Sequence, residues 1–340
     1  MVAEGGPAVK GGRVMRQRLV MAAGAALLAG LLSPAAAAER GKPEKAALTL
    51  GLATAGSYWF PVYMAVERTW PAEGLHVDLT VFRGDAEVAQ ALAGGSIDVS
   101  LGSVPMLVSV VNSGQPIRGF YAGFNQAMFG WVAQPTIKDW AALKGKSMGI
   151  STFGSLSDAL TRYALRRHGL DPEHEVNILQ SGGSATVWEA LKAKRLDAAI
   201  LSPPFKWLAA DAGLTVLGEE REFAPEWPSN LYSARTDFLD RNPNTAMALL
   251  RGHVAALRLA RSDRALAIKA MEQYLKYSEA DANRAYDEVI GHYDEHGNLP
   301  QAAMPIFWQT EIANHEVTEP WPDSRLIDRR FIDRFADWAP

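Results

Sequence analysis

GDAEVAQAL at residues 84–92 and GSATVWEAL at residues 183–191 are two copies of one pattern. They align without a gap, and the match continues to Pro105 in the first copy and to Pro204 in the second. Each copy has the apolar spacing of a helix, followed by an aspartate and a short apolar run that is typical of a buried strand. Because the repeated unit is longer than one repeat of a solenoid, we predict two α/β lobes built on one plan.

The similarity between the two halves extends upstream of these helices. GLATAGS at residues 51–57 matches GISTFGS at residues 149–155, and each segment reads as a strand, a Gly-Ser turn and the start of a helix. Shared glycine and serine are common in unrelated β-turn-α segments, but two matched segments at nearly one offset favour a duplicated architecture. Strands that alternate with helices predict a mainly parallel sheet, flanked by helices, in each lobe.

Length and composition limit the classes of protein to be considered. The chain has 340 residues, 48% of them hydrophobic, which suits about two globular domains. The net charge of -4 gives no indication of a nucleic-acid partner. The absence of cysteine excludes disulfide bonds, thiolate nucleophiles and cysteine-ligated metals.

The first residues have the order of a secretory signal peptide. Four basic side chains lie within residues 10–18, an apolar run follows over residues 19–32, and a tract of four alanines ends at Ala38. The apolar run is short for a membrane span, and the alanines offer a cleavage site. We therefore predict a cleaved signal peptide over residues 1–38, with an uncleaved membrane anchor as the alternative, and export to the periplasm.

The order of predicted strands suggests where the chain passes between lobes. We place the first crossing at Gln134-Pro135, after a strand over 129–133, and the return between Glu219 and Pro228. Lobe one then comprises residues 39–134 and 229–340, and lobe two comprises residues 135–228. The C-terminal part is predicted to be helical, with helices that pack on lobe one and brace the back of lobe two.

Catalytic and metal-binding patterns were compared with the sequence and rejected. Gly145-Lys146-Ser147 resembles the end of a phosphate-binding loop, but Trp140 stands where its first glycine belongs, and the triplet precedes a strand. No nucleophile elbow of the form G-x-S-x-G is present. His292 and His296 are four residues apart but have no adjacent third ligand. We expect no catalytic residues, no metal and no other cofactor.

Polar turns at the ends of strands are the positive signal for a binding site. Ligands of open parallel sheets bind beyond the carboxyl ends of strands, where helices begin and free N–H groups point outward. Such ends lie at Ser57, Gly84-Asp85, Ser155 and Gly183-Ser184, and ordinary helix capping by these residues is the alternative interpretation. The candidate ligand-binding residues are Thr54, Ser57, Tyr58, Trp59, Gly102, Ser103, Thr152, Phe153, Gly154, Ser155, Ser184 and Ser202.

These candidates predict a ligand that is polar at one end and flat or apolar at the other. Hydroxyls and helix N-termini would hold a neutral or singly charged head, because no basic cluster accompanies the turns. Tyr58, Trp59 and Phe153 would stack on the flat end, unless these rings belong to the core. On this hypothesis, Trp59→Ala and Ser155→Ala each weaken binding and leave the fold intact.

Three further segments add a resemblance to a known family. ALAGGSID at residues 91–98, LKGKSMGI at 143–150 and ALKAKRLDA at 190–198, together with the turns above, resemble periplasmic substrate-binding proteins of ABC importers for nitrate, taurine, alkanesulfonates and precursors of thiamine or riboflavin. The resemblance covers roughly residues 48–217 and is specific to the fold more than to the ligand. It implies a periplasmic-binding-protein type II fold, in which two lobes joined by two hinge crossings close on the ligand.

The resemblance also implies partners and alternatives. The expected function is capture of a sulfonate, a carboxylate or a vitamin-precursor-like molecule by a monomer that docks on an ABC permease in the inner membrane. An extracytoplasmic sensor subunit is the second hypothesis, and a small-molecule enzyme of the same fold is the third. Related eukaryotic enzymes that make a thiamine pyrimidine use a cysteine-rich segment, which this cysteine-free chain does not have.

Overall fold

The structure, a computed structural model, describes residues 41–126, 128–223 and 226–340. The predicted signal peptide over residues 1–38 lies outside these described residues. Within the described ranges, no helix is both long and apolar enough to cross a membrane. Residues 41–340 form one compact unit, and two sheets organise it.

Ten strands and fourteen α-helices make up the described part of the chain. The strands are β1 Ala47–Leu52, β2 His76–Val81, β3 Val99–Ser103, β4 Ile117–Phe124, β5 Gly130–Ala133, β6 Ser147–Ile150, β7 Asn177–Gln180, β8 Ala198–Leu201, β9 Thr215–Glu219 and β10 Asn230–Arg235. The helices are α1 Phe60–Met64, α2 Trp70–Ala72, α3 Asp85–Ala93, α4 Val104–Asn112, α5 Leu156–Arg167, α6 Ser184–Lys192, α7 Phe205–Asp211, α8 Thr236–Arg241, α9 Pro243–Ser262, α10 Arg264–Leu275, α11 Glu279–Val289, α12 Met304–Ala313, α13 Asp323–Leu326 and α14 Phe335–Trp338.

The two sheets have the same strand order, which confirms the predicted two-lobed α/β fold. The first sheet runs β2-β1-β3-β10-β4 and the second β7-β6-β8-β5-β9. Three strands of each sheet are parallel neighbours, and the fourth position is held by a strand that arrives from the other lobe and pairs antiparallel. We use lobe one for the part built on the first sheet and lobe two for the part built on the second.

The repeated sequence makes the same contacts in both lobes. Gly51 in β1 leaves no room for a side chain beneath α3, because a Cβ there would lie 2.8 Å from Val88 and 2.6 Å from Ile97. Gly149 in β6 has the same relation to Leu196, at 2.6 Å. Glycine in these strands therefore lets the repeat helix pack close to its sheet.

The aspartates that precede β3 and β8 hold the neighbouring strand. Asp98 accepts the amide of Thr49 at 3.0 Å, and Asp197 accepts the amide of Ser147 at 2.9 Å. The hydrogen bond from the Ser147 amide is the largest cause that holds the pKa of Asp197 below its ordinary value. Both aspartates lie just before the start of a strand, away from the carboxyl edge.

The structure corrects the position of the first crossing. The apolar strand predicted over residues 129–133 exists as β5, but it pairs with β8 and β9 in the second sheet. The chain therefore leaves the first sheet after Phe124, before β5 and not at Gln134-Pro135. The sequence pattern could not show this, because an apolar strand carries no mark of the sheet that it joins. The return occurs between β9 and β10.

The C-terminal helices bridge the two lobes. Helix α10 packs on α1 of lobe one, whereas α12 packs on α5 of lobe two. Arg166 near the end of α5 donates hydrogen bonds to Asn314 at 2.6 Å and to the carbonyl of Ala313 at 2.9 Å. The C-terminal helices therefore contact both lobes.

Candidate functional site

A pocket lies between the carboxyl ends of the two sheets. It takes residues from both lobes. Lobe one contributes Ala53, Thr54, Tyr58, Asp85 and Asn230. Lobe two contributes Ser151, Leu156, Ser157, Gly182, Gly183, Ser184, Ile200 and Ser202, and Phe129 from the first crossing completes the lining.

The lobes touch beside this pocket through two equivalent contacts. Thr152 of lobe two lies against Gly84 of lobe one, and a Cβ added to Gly84 would stand 2.5 Å from the Thr152 methyl group. The Ala86 amide lies 3.5 Å from the Thr152 hydroxyl. Thr54 of lobe one lies against Gly183, where a Cβ would stand 3.6 Å from its methyl group. Each threonine turn thus packs on the glycine that begins the repeat helix of the other lobe.

The first residue of each repeat helix closes the same local hydrogen bond. Asp85 Oδ1 accepts the amide of Ser103 at 2.9 Å, and Ser184 Oγ accepts the amide of Ser202 at 3.0 Å. Burial raises the pKa of Asp85, while the amides of Ser103 and Leu156 partly offset this rise. A carboxylate in lobe one and a hydroxyl in lobe two therefore hold equivalent positions in one pocket.

A serine cluster forms the lobe-two wall. Ser155 caps α5 by accepting the Asp158 amide at 3.3 Å, because its β-region backbone aims the hydroxyl at the first turn. Its hydroxyl also contacts Ser151 and Ser157, each at 2.9 Å. Ser151 and Ser157 line the pocket, whereas Ser155 is buried behind them.

Tyr58 supplies the aromatic wall of lobe one. Its hydroxyl lies 3.0 Å from Thr54 Oγ1, and its ring stacks on Phe124 at 6.0 Å between centroids. Burial raises the pKa of Tyr58 to about 12, and the nearby negative charge of Asp85 adds to this effect. The phenol therefore stays protonated at neutral pH and can donate or accept a hydrogen bond.

Four of the residues predicted from sequence line the pocket, and eight do not. The four are Thr54, Tyr58, Ser184 and Ser202. The other eight lie around the pocket or behind it: Ser57, Trp59, Gly102, Ser103, Thr152, Phe153, Gly154 and Ser155.

Structural roles account for several of these eight. The ring of Trp59 is only 3% exposed and its Nε1 donates to the Thr54 carbonyl at 2.9 Å, so it belongs to the core. Ser103 caps α4 by accepting the Met106 amide at 3.1 Å, and Gly102 leaves space for the Met106 side chain. Ser57 is fully buried in the turn before α1.

The second Gly-Ser turn points partly away from the pocket. Phe153 is 47% exposed and lines a separate cavity, where Arg162 lies over its ring at 5.9 Å. Gly154 has a φ of 72°, which favours glycine, and its amide donates to Asp158 at 2.9 Å. Thr152 makes the lobe-to-lobe contact with Gly84.

Several lining residues are not among the candidates predicted from sequence, although the repeat held a signal for one of them. Asp85 aligns with Ser184 in the repeat. The alignment that makes Ser184 a candidate therefore indicates Asp85 as well. Asn230 comes from the returning strand β10, and Phe129 from the crossing before β5. No local pattern marks these two, because their position depends on how the sheets are connected.

The pocket has an acidic group and lacks basic ones among the residues described. No lysine, arginine or histidine is found in the described lining, and Asp85 is its carboxyl group. Across the described ranges, no group of three or more His, Asp or Glu side chains is arranged to hold a metal ion. The arrangement offers hydroxyls, one carboxyl group, the Asn230 amide and the aromatic rings of Tyr58 and Phe129 for binding a small molecule.

Comparison with known sequences relates the chain to binding proteins. The NMT1-like family is matched over residues 41–274, more than half of the chain. A protein of Bacillus subtilis (strain 168), YtlA, named as a candidate binding protein, is 24% identical over 196 residues. That match covers 56% of this chain and 59% of the Bacillus protein, so the chain spans less than two thirds of this relative.

Solved structures share the fold over most of the chain. A protein from Bordetella bronchiseptica RB50 has a TM-score of 0.75 and 24% identity, covering 86% of this chain and 98% of its own. The alkanesulfonate-binding protein SsuA from Xanthomonas axonopodis pv. citri, bound to MOPS, has a TM-score of 0.67 and 17% identity, with coverage of 84% and 96%.

Proposed function

Because the chain belongs to the NMT1-like family, we propose that it is an extracytoplasmic solute-binding protein, which captures a small organic molecule between its lobes and delivers it to an ABC importer. The observation that carries this proposal is the pocket at the facing carboxyl edges of two equivalent sheets, which is lined by residues of both lobes. A ligand there contacts both lobes, and only a ligand that binds the closed form better than the open form drives closure.

The hinge of the proposed motion consists of the two connections between the sheets. One joins β4 to β5 and the other joins β9 to β10, so residues 130–219 form the moving lobe. Bending at two neighbouring connections lets each sheet move as a rigid body. This division replaces the boundary at residue 134 that the sequence suggested.

In the proposed function, the protein binds its ligand without converting it. The lining serines hydrogen-bond with one another, as in the pair of Ser202 and Ser184 at 3.0 Å, and the described lining includes no histidine to act as their base. Binding by neutral hydroxyls, an aromatic face and a carboxyl group serves capture and release.

The proposed location and partner follow from the same role. Removal of the predicted signal peptide releases the mature chain, beginning near Glu39, into the periplasm. There the closed monomer docks on a permease of the inner membrane. The structurally similar SsuA from Xanthomonas axonopodis pv. citri is an alkanesulfonate-binding protein, which supports a small organic ligand as the class of cargo.

Native mass spectrometry of freshly purified, exported protein tests this function. We expect a non-covalent small molecule in part of the population, and small-angle scattering should show a smaller radius of gyration when that molecule is added back to stripped protein. Single-turnover incubation should return the molecule unchanged. A chemically altered product would contradict pure binding, and an unchanged radius at saturation would contradict closure around the ligand.

A further inference from the structure

We propose that Asp85 makes the pocket selective for ligands that carry a positively charged N–H group, such as a protonated amine or amidine, over anionic ligands of the same shape. This inference rests on the proposed capture function and specifies the chemical class of its ligand. Asp85 is then a specificity-determining residue that contacts the ligand directly.

Asp85 lies where a ligand head would enter the first turn of α3. It lines the pocket, is only 6% exposed, and uses Oδ1 to accept the Ser103 amide at 2.9 Å. A carboxylate has about four acceptor positions, and the amide and hydroxyl of Ser103 with the amide of Leu156 take up to three of them, so at least one remains for a donor from a ligand. Tyr58 and Thr54, on the same wall, add neutral hydroxyls beside it.

The second lobe shows that the fold does not need a charge at this position. Ser184 takes the equivalent place at the start of α6, and its hydroxyl accepts the Ser202 amide at 3.0 Å. The same bond between helix start and strand end is therefore formed by a neutral residue. The carboxylate of Asp85 adds a negative charge that the local architecture does not require.

The surroundings of Asp85 make that charge effective in recognition. The described lining holds no lysine, arginine or histidine that could neutralise it, and burial weakens screening by solvent. Burial also raises the pKa of Asp85, because water solvates the ionised carboxyl group poorly there. A cationic ligand would supply the missing opposite charge, so its binding stabilises the ionised form.

Anionic ligands meet the opposite situation. Helix N-termini commonly bind anions through their free amides. Here Asp85 already accepts the Ser103 amide, and the amide of Leu156 at the start of α5 also interacts with its carboxyl group. A sulfonate or carboxylate would compete with Asp85 for these donors and would lie close to a like charge.

A panel of matched probes tests the inference by thermal shift and calorimetric titration. Propyl, cyclohexylmethyl and benzyl skeletons are each presented as the primary amine, the alcohol and the sulfonate. For the skeleton that binds best, we expect wild-type protein to prefer the amine over the sulfonate by at least about tenfold. Asp85→Ser, which copies the neutral residue of lobe two, should weaken amine binding by about tenfold or more and reduce or reverse the preference.

Two further variants separate charge from folding. Asp85→Asn keeps the size of the side chain and should lose the same preference, which covers the case in which Asp85→Ser does not fold. Asp98→Asn removes a carboxylate that also accepts a strand amide but does not line the pocket, and it should keep the wild-type preference. A wild-type preference for sulfonates, or an unchanged ratio of amine to sulfonate affinity in the Asp85 variants, would overturn the inference. Neither result would contradict the proposed capture function. If no skeleton bound as the amine, the alcohol or the sulfonate, the result would count against both the selectivity of Asp85 and the proposed capture function.

Discussion

Ser155 accepts the Asp158 amide at the start of α5, and its hydroxyl contacts two further serines. The sequence suggested a ligand contact, but the side chain is buried behind the pocket wall. We therefore expect Ser155→Ala to act first on stability, with a loss of about 1 kcal/mol for the lost cap. Urea denaturation measures this loss.

Comparison with other serines gives the controls for this prediction. Ser103→Ala removes a similar buried cap from α4 and should cost a comparable amount, whereas Ser324→Ala, on an exposed surface, should change little. If Ser155→Ala left stability unchanged but abolished ligand binding, the result would support the direct ligand contact that the sequence suggested for Ser155.

Glu311 on α12 is a buried carboxyl group whose two oxygens have no hydrogen-bond partner among the described residues. Burial, with smaller contributions from Glu316 and Asp158, raises its pKa from 4.5 to about 8. Because the unfolded chain ionises first, the folded state loses stability as pH rises from about 4.5 to 8. Glu311→Gln should therefore raise the free energy of unfolding by about 1–3 kcal/mol at pH 7 and change it little at pH 4.

Denaturation at several pH values checks the sign of this effect. The exposed Glu319→Gln is the control, and its difference from wild type should stay small throughout. A gain for Glu311→Gln that is equally large at pH 4 would show that ionisation of Glu311 is not the cause.

At the scale of elements, each repeat helix packs against a glycine in its own sheet. A methyl group at Gly51 or Gly149 would come within 2.6 Å of a core side chain. Gly51→Ala and Gly149→Ala should therefore each lower the free energy of unfolding by about 1–3 kcal/mol. Gly130→Ala in β5 is a matched strand control, since its nearest neighbour would be 3.4 Å away. Thermal unfolding of the three variants measures the difference.

The result also tests whether the two lobes are equivalent in packing. Similar losses for Gly51→Ala and Gly149→Ala would agree with one design used twice. Losses no greater than that of Gly130→Ala would show that the helices can move outward without cost, against the close packing seen in both lobes.

At the scale of the whole molecule, the contact between the lobes depends on a small residue. A methyl group at Gly84 would stand 2.5 Å from the Thr152 methyl, whereas one at Gly183 would stand 3.6 Å from Thr54. Threonine has few side-chain rotamers with which to move aside. We expect Gly84→Ala to hinder closure, with weaker ligand binding and less compaction in scattering, and Gly183→Ala to behave like wild type.

A second substitution makes this prediction specific to the lobe contact. Thr152→Ser in the Gly84→Ala background removes the opposing methyl group while keeping the hydroxyl, and it should restore compaction. Normal closure of the single variant Gly84→Ala would mean that the Gly84 and Thr152 turns do not limit the approach of the lobes.

The sequence by itself determined the duplicated plan. The aligned repeats, the strand-turn-helix order and the glycines before α3 and α6 are local features, and they predicted two equivalent α/β lobes. The two repeat helices and the strand predicted over residues 129–133 lie within about one residue of their predicted bounds, because apolar periodicity and capping act over short distances. The Gly-Ser turns also led to Thr54, Tyr58, Ser184 and Ser202, since the carboxyl ends of strands meet at one edge.

Only the tertiary structure decided which polar residues face the pocket. Ser155 and Trp59 stand in the same turns as the lining residues, yet one caps a helix and the other packs in the core. Asn230 and Phe129 reach the pocket because the chain crosses between sheets beside them. Side-chain direction and strand partnership depend on contacts with residues distant in sequence, and a local pattern carries no information about those contacts.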